Sequence, residues 1–167
     1  DGMNPVAGDP RVDLADLVDR IALRFSLLGK TANVAVVGAR PDDAMWVCCD
    51  PFMAERAVSN IVHNAVTYAE ETGNIAIVLE REGEGRFSLS ISDDGPGVPP
   101  SELPRLAERT FRSDEARKRD PRGGGLGLAI TNEICQRAGW ELDFEAVEPR
   151  GLCVRIDGNL VDPVSSS

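Results

Sequence analysis

The sequence predicts a two-layer α/β sandwich: a mixed, mainly antiparallel sheet covered on one face by about three helices. Two observations carry this. Three segments show the helical period with one apolar face each, and two pairs of alternating segments read as β-hairpins. The chain has 167 residues and no internal repeat, a length that suits one domain with a full core.

The elements follow in order. Residues 1–11, beginning "DGMNPVAGDP", are expected to be disordered or left over from an expression vector, and the domain is expected to span 12–160. Over 12–29, Leu14, Leu17, Val18, Ile21, Phe25 and Leu28 share one side of a helix, with Gly29 as its stop. "NVAVVG" (33–38) and "MWVCC" (45–49) read as strands joined by "ARPDDA". Asp50 and Pro51 then supply the N-cap and first-turn proline of a second helix. "NIAIVLERE" and "RFSLSISDD" flank "GEG" as a hairpin. "LGLAITNEICQRAG" is a third helix ending at Gly139, and "WELDFEAV" with "GLCVRID" forms a second hairpin turned at "EPR". Residues 161–167 read as a frayed tail. One stretch, about 98–122, is rich in charge and proline and fits no element beyond a short helix near 101–108. A loop of that length in a compact domain reads as a lid, a binding loop or disorder, and 99–122 is expected to be poorly ordered without a ligand.

Composition narrows the function. Apolar residues make up 42% of the chain, which argues against disorder, and no apolar run approaches the ~20 residues of a membrane span. No basic region precedes an apolar stretch at the N-terminus, so no secretory signal is read there. Cys48, Cys49, Cys135 and Cys153 match no zinc spacing and read as free thiols. A net charge of −10 argues against a general nucleic-acid binder. Residues 105–122 nevertheless hold seven basic against four acidic side chains. Such a segment suits a small anion or a solvated loop.

Three motifs carry chemistry. In "RAVSNIVHNAVTYAE", the apolar residues Ala57, Val58, Ile61, Val62, Ala65, Val66, Tyr68 and Ala69 fill one arc of the helix. Asn60, Asn64 and Thr67 form a polar ridge at the edge of that arc, with His63 and Arg56 further round. A ridge asparagine offers a carbonyl oxygen to a hard cation and amide protons to phosphate, and it equally suits plain hydration. In "ISDDGPGVPP", Asp93 stands at a strand end where a carboxylate can accept from an exocyclic amine. Gly95 and Gly97 allow close backbone approach there, and a simple turn reads the same way. In "RGGGLGLAI", Gly123, Gly125 and Gly127 open a helix whose bare amides and dipole suit phosphate. The run is no Walker loop, and a flexible hinge fits it as well.

"NIVHNAVTY", "DDGPG" and "GGGLGL", in that order, resemble the ATP-binding domain of sensor histidine kinases, a branch of the superfamily shared with gyrase, the ninety-kilodalton heat-shock chaperone and mismatch-repair ATPases. The resemblance implies the Bergerat-type ATP-binding fold, ATP and Mg²⁺ as ligands, and a mobile lid. It implies that Asn64 holds magnesium and that Asn60 lies near the phosphates. By the same likeness Tyr68 packs near the nucleotide and Asp93 binds adenine, in a pocket shaped by Gly95, Gly97 and Val98. Gly123, Gly125, Leu126, Gly127 and Leu128 form the second glycine box, and Arg112 is the lid arginine near the triphosphate. Two departures stand out. Thr67 occupies a nucleotide-site position where many relatives carry Lys or Arg. Thr110 replaces the first lid aromatic, leaving Phe111 alone.

Asn60 bears on the reaction. The resemblance says that ATP-hydrolysing cousins and serine kinases of this fold carry a glutamate there as general base. An amide takes no proton at neutral pH, which favours transfer to a nucleophile as good as neutral imidazole. His63 lies inside the nucleotide helix and is read as packing or meeting water near the metal. The phosphoacceptor is therefore expected on a histidine-containing dimerisation domain of the same protein, upstream of Val12, with a response regulator downstream. The domain is expected to be cytoplasmic, and an inner-membrane sensor is one reading of its parent. Other readings of the same fold are a regulatory nucleotide-binding module and an ATPase or serine kinase.

Overall fold

A computed structural model of the chain describes residues 8–32, 34–69, 73–108 and 127–163. Five strands form the main sheet: β2 (Ala35–Ala39), β4 (Asn74–Glu82), β5 (Arg86–Asp93), β6 (Glu141–Ala146) and β7 (Leu152–Asn159). Their spatial order is β2-β4-β5-β7-β6. β2 runs parallel to β4, and every other pairing in this sheet is antiparallel. Strand residues alternate between two faces. Val36, Ile75, Ile77, Leu79, Phe87, Leu89, Ile91, Val154 and Ile156 are buried on the inner one. Three helices cover that face: α1 (Leu14–Ala32), α2 (Pro51–Tyr68) and α3 (Gly127–Ala138). The sandwich expected from the hairpins and helical faces is the one observed.

The differences lie at the N-terminal end. The helix expected over 12–29 begins at Leu14 and continues to Ala32. Arg11–Asp13 instead form β1, paired antiparallel with β3 (Trp46–Cys48) in a separate two-stranded ribbon. Asp13 makes the switch from strand to helix. Its Oδ1 accepts from the Ala15 amide at 3.0 Å and from the Met45 amide at 2.8 Å. Gly29 does not stop the helix, because a single glycine costs about 1 kcal/mol relative to alanine and leaves the hydrogen-bond ladder intact. β2 and β3, read as neighbours along the chain, thus belong to different sheets. Pro10 O accepts from the Cys49 amide at 3.1 Å, and the Val161 amide donates to Trp46 O at 2.9 Å, so both margins of the domain are tied to the ribbon end.

The start of α2 follows the local reading. Asp50 accepts from the Phe52 amide at 2.9 Å and the Met53 amide at 3.2 Å, with Pro51 at the first helical position. Ala57, Val58, Ile61, Val62 and Ala65 are buried, and each fully buried Val or Ile contributes about 1.5–3 kcal/mol. Within the segment read as a lid, 99–108 is anchored. Leu103–Arg105 form a single 3-10 turn, Leu103 packs on the core and Leu106 is buried in it. Two leucines thus supply an apolar anchor at the start of this segment that its charge and proline content did not suggest. Residues 109–122 lie outside the described residues.

All four cysteines are free. Burial pushes the Cys49 thiol up to about 11, with Asp50 adding to the effect, and burial pushes Cys135 up to about 12. Protonated thiols of this kind are poor nucleophiles.

Candidate functional site

Two groups of residues build the site, one on α2 and α3, the other at the end of β5. On α2, Asn60 and Asn64 are half-buried while His63 and Thr67 are exposed, as the ridge at the edge of the apolar arc requires. Asn60 Nδ2 donates to Gly127 O at 3.4 Å, a long hydrogen bond that brings the asparagine pair to the start of α3. A Cβ added to Gly127 would stand 4.0 Å from the Asn60 Cβ, an ordinary contact. The adjoining Leu128 is buried. Thr131, one turn further along α3, is fully buried, and its hydroxyl donates to Ala57 O at 3.0 Å. Thr67 turns its hydroxyl back onto its own helix, donating to His63 O at 2.8 Å. His63 is exposed, so the packing role considered for it does not hold.

At the end of β5, two adjacent aspartates have separate roles. Asp93 is half-buried, and its Oδ1 accepts from the Gly95 amide at 2.9 Å. Burial holds its carboxyl above the usual aspartate range, against the pull of backbone hydrogen bonds from Gly95 and Leu152; Asp94 pushes the same way as burial. Asp94 accepts from the Asn74 amide at 2.7 Å and from Asn74 Nδ2 at 2.9 Å. These bonds hold its carboxyl below the usual range and staple the end of β5 to the start of β4.

Glycines close this half of the site. Gly97 has φ +71°, and a Cβ there would stand 2.9 Å from Gly151 O. Gly151 has φ +124°, and a Cβ there would overlap the Asp93 carbonyl oxygen. The turn before β7 therefore lies directly on the backbone of Asp93 and Gly97. Gly95 is buried and Val98 packs on the core. Sequence reasoning missed Gly151, whose only local signal is a glycine before a strand. It also missed Thr131, a lone hydroxyl in an apolar helix.

Other expected site residues are less fully placed. Tyr68 ends α2, and its side chain lies outside the described residues. Arg112, Gly123, Gly125 and Leu126 also lie outside them. Among the described residues no cluster of three or more His, Cys, Asp or Glu could hold a metal. The Asn64 amide oxygen is a hard donor of the kind magnesium accepts, and magnesium commonly takes only one or two protein ligands beside phosphate and water. A cavity of about 490 Å³ opens elsewhere, between the N-terminal half of α2 and the C-terminal half of α3. Met53, Arg56, Ile134 and Arg137 are among its lining, and none of the expected nucleotide residues is. No described helix is long and apolar enough to cross a membrane.

Comparison with known proteins bears on both halves. Residues 49–160 match the family model described as histidine kinase-, DNA gyrase B-, and HSP90-like ATPase. The sensor histidine kinase WalK of Bacillus subtilis is 28% identical over 144 residues, which are 86% of this chain and 23% of WalK. The chain thus spans about a quarter of the length of the curated relatives it matches. Among solved structures, the mycobacterial sensor histidine kinase MprB superposes with a TM-score of 0.78 at 29% identity, covering 90% of this chain and 98% of that one. Full-length ShkA in complex with AMPPNP superposes at 0.79 with 20% identity, covering 98% of this chain and 33% of that one, a likeness of fold.

Proposed function

The chain belongs to the histidine kinase-, DNA gyrase B- and HSP90-like ATPase family, as a histidine-kinase catalytic ATP-binding domain, and we propose that it binds ATP–Mg²⁺ and passes the γ-phosphoryl group to a histidine on a separate dimerisation domain. Asp93 accepts from the adenine amine. Asn64 lends its amide oxygen to magnesium, and Asn60 faces the phosphates beside the first turn of α3. By the family likeness, Arg112, Gly123, Gly125 and Leu126 would contact the triphosphate. In the transfer, the bond between the γ-phosphorus and the bridging oxygen of ADP breaks. A bond to an imidazole nitrogen forms, and the imidazole proton passes to water.

The observation that carries this reading is the contact of Asn60 with Gly127. It brings the asparagine motif against the first residue of α3, and by the family likeness Asn60 stands where hydrolysing relatives carry a glutamate, a role an amide cannot fill as general base. His63 is exposed but sits on the nucleotide helix itself, so the acceptor belongs to another domain. A response regulator would receive the phosphoryl group in turn, and the whole protein would be a cytoplasmic kinase core or a membrane-anchored sensor.

The test is transfer of label from γ-labelled ATP to the histidine domain. Acid-labile, base-stable phosphohistidine is expected, and Asn64→Ala should abolish it together with magnesium-dependent ATP binding. ATP uptake without transfer would leave a regulatory module. Brisk hydrolysis by the isolated domain would point to an ATPase.

A further inference from the structure

We infer that Thr131 is a positioning residue for the phosphate end of the nucleotide site, holding the first turn of α3 in register beside Asn60; the inference rests on the ATP-binding reading above. α2 and α3 run antiparallel: Asn60 meets Gly127, and one turn away Ala57 meets Thr131. Among the described residues these two hydrogen bonds are the ones that join the helices. The Asn60 bond is long, at 3.4 Å, and uses a side chain that nucleotide would engage. The Thr131 bond is 3.0 Å, and Thr131 is 0% exposed.

Both helices also bury apolar side chains in the shared core, Ala54 and Ile61 from α2 and Leu128 and Cys135 from α3. Apolar burial is roughly proportional to area and has no preferred direction, so it tolerates a small slide or tilt. A hydrogen bond weakens steeply once its angle is lost. Toward the C-terminal end of α3, the helices part around the 490 Å³ cavity, lined there by Met53, Ile134 and Ala138. Close packing against a tilt of α3 is therefore missing on that side, and the hydroxyl pin fixes where Gly127 stands.

Thr131 is not needed to satisfy a stranded group, because Ala57 O lies inside α2 and takes part in its hydrogen-bond ladder. Valine would fill the same volume. A buried hydroxyl whose bond roughly offsets its desolvation adds orientation more than stability.

The experiment compares wild type, Thr131→Val and Thr131→Ser. Calorimetry measures ATP–Mg²⁺, and amide shifts in NMR titration measure adenosine. Thr131→Val is expected to weaken ATP–Mg²⁺ about tenfold, the scale of one misplaced hydrogen-bonding group, while adenosine stays within about twofold. Thr131→Ser, which keeps the donor, should bind both like wild type. Unchanged ATP affinity in a folded Thr131→Val protein would overturn the inference. So would equal losses for ATP and adenosine, which mark a general structural role. If Thr131→Val does not fold, Thr131→Cys, with a weaker donor of similar size, takes its place under the same criteria. A wild-type domain that binds neither ligand would instead overturn the ATP reading itself.

Discussion

Gly151 and Gly127 border the two halves of the candidate site, and a methyl group added to each would meet different surroundings. At Gly151 it would overlap the Asp93 carbonyl from a backbone already at φ +124°. At Gly127 it would stand 4.0 Å from the Asn60 Cβ, in ordinary contact. The Asp93 half is built from backbone pressed on backbone: at Gly97 too an added Cβ would crowd main chain, 2.9 Å from Gly151 O. The Asn60 half is built from side chains reaching across two helices, through bonds of 3.4 and 3.0 Å. Recognition of a flat base suits the first kind of wall, which has no rotamers to rearrange. Recognition of a charged, metal-bound group suits the second, where donors can adjust to it.

Substitutions can break this contrast. The largest effect is expected at Gly151. Gly151→Ala should cost about 3 kcal/mol or more, combining positive-φ strain with a displaced Asp93 backbone, as urea denaturation would read it. Wild-type stability in that variant would remove the backbone wall from the account.

Asp93→Asn comes next. It should weaken ATP by about 1–3 kcal/mol, the cost of leaving a buried polar partner unmatched, while the fold survives. The pH dependence sharpens the point. Ionised Asp93 is the stronger acceptor for an amine, and its raised pKa means that it protonates at a pH above the ordinary aspartate value of 3.8. ATP affinity should therefore fall as acid is added before exposed aspartates titrate, and the Asn variant should lack that step. For stability the signs differ. A raised folded-state pKa means that ionised Asp93 disfavours folding, and protonation relieves this. Asp94, with its pKa lowered, contributes stability that is present above 3.8 and lost as pH falls through its folded-state value. Binding measured by calorimetry should thus fail at a higher pH than the β4–β5 staple.

The smallest effect is expected at Gly127. Gly127→Ala should change stability by no more than about 1 kcal/mol, in the stabilising direction, because alanine favours the first helical turn and the space exists. Unfolding of this variant in a thermal melt would show that the Asn60 half is as tightly walled as the other.

Much of this architecture was legible along the chain. The ridge of Asn60 and Asn64 follows from where apolar residues recur on α2, and the structure buries Ala57, Val58, Ile61, Val62, Ala65 and Ala69 of that arc. The Asp50–Pro51 helix start is local chemistry, and local reading finds it. The β1–β3 ribbon was not legible, because three-residue strands are too short to show a period. Leu106 reads as one leucine in a charged loop until the core beneath it is known.

What the sequence alone determined is the set of helices and hairpins, the apolar face each presents, and the order of three motifs that mark an ATP-binding fold. The helices, hairpins and apolar faces depend on residues a few positions apart, within reach of helical and strand periodicity, while the motif order points to the fold through its family resemblance. The tertiary structure decided that Gly151 lies on Asp93, that Thr131 pins α3 to Ala57, and that Asp93 and Asp94 titrate in opposite directions. Each of these depends on a partner brought close by packing from elsewhere in the chain, and a local pattern carries no record of distance in space.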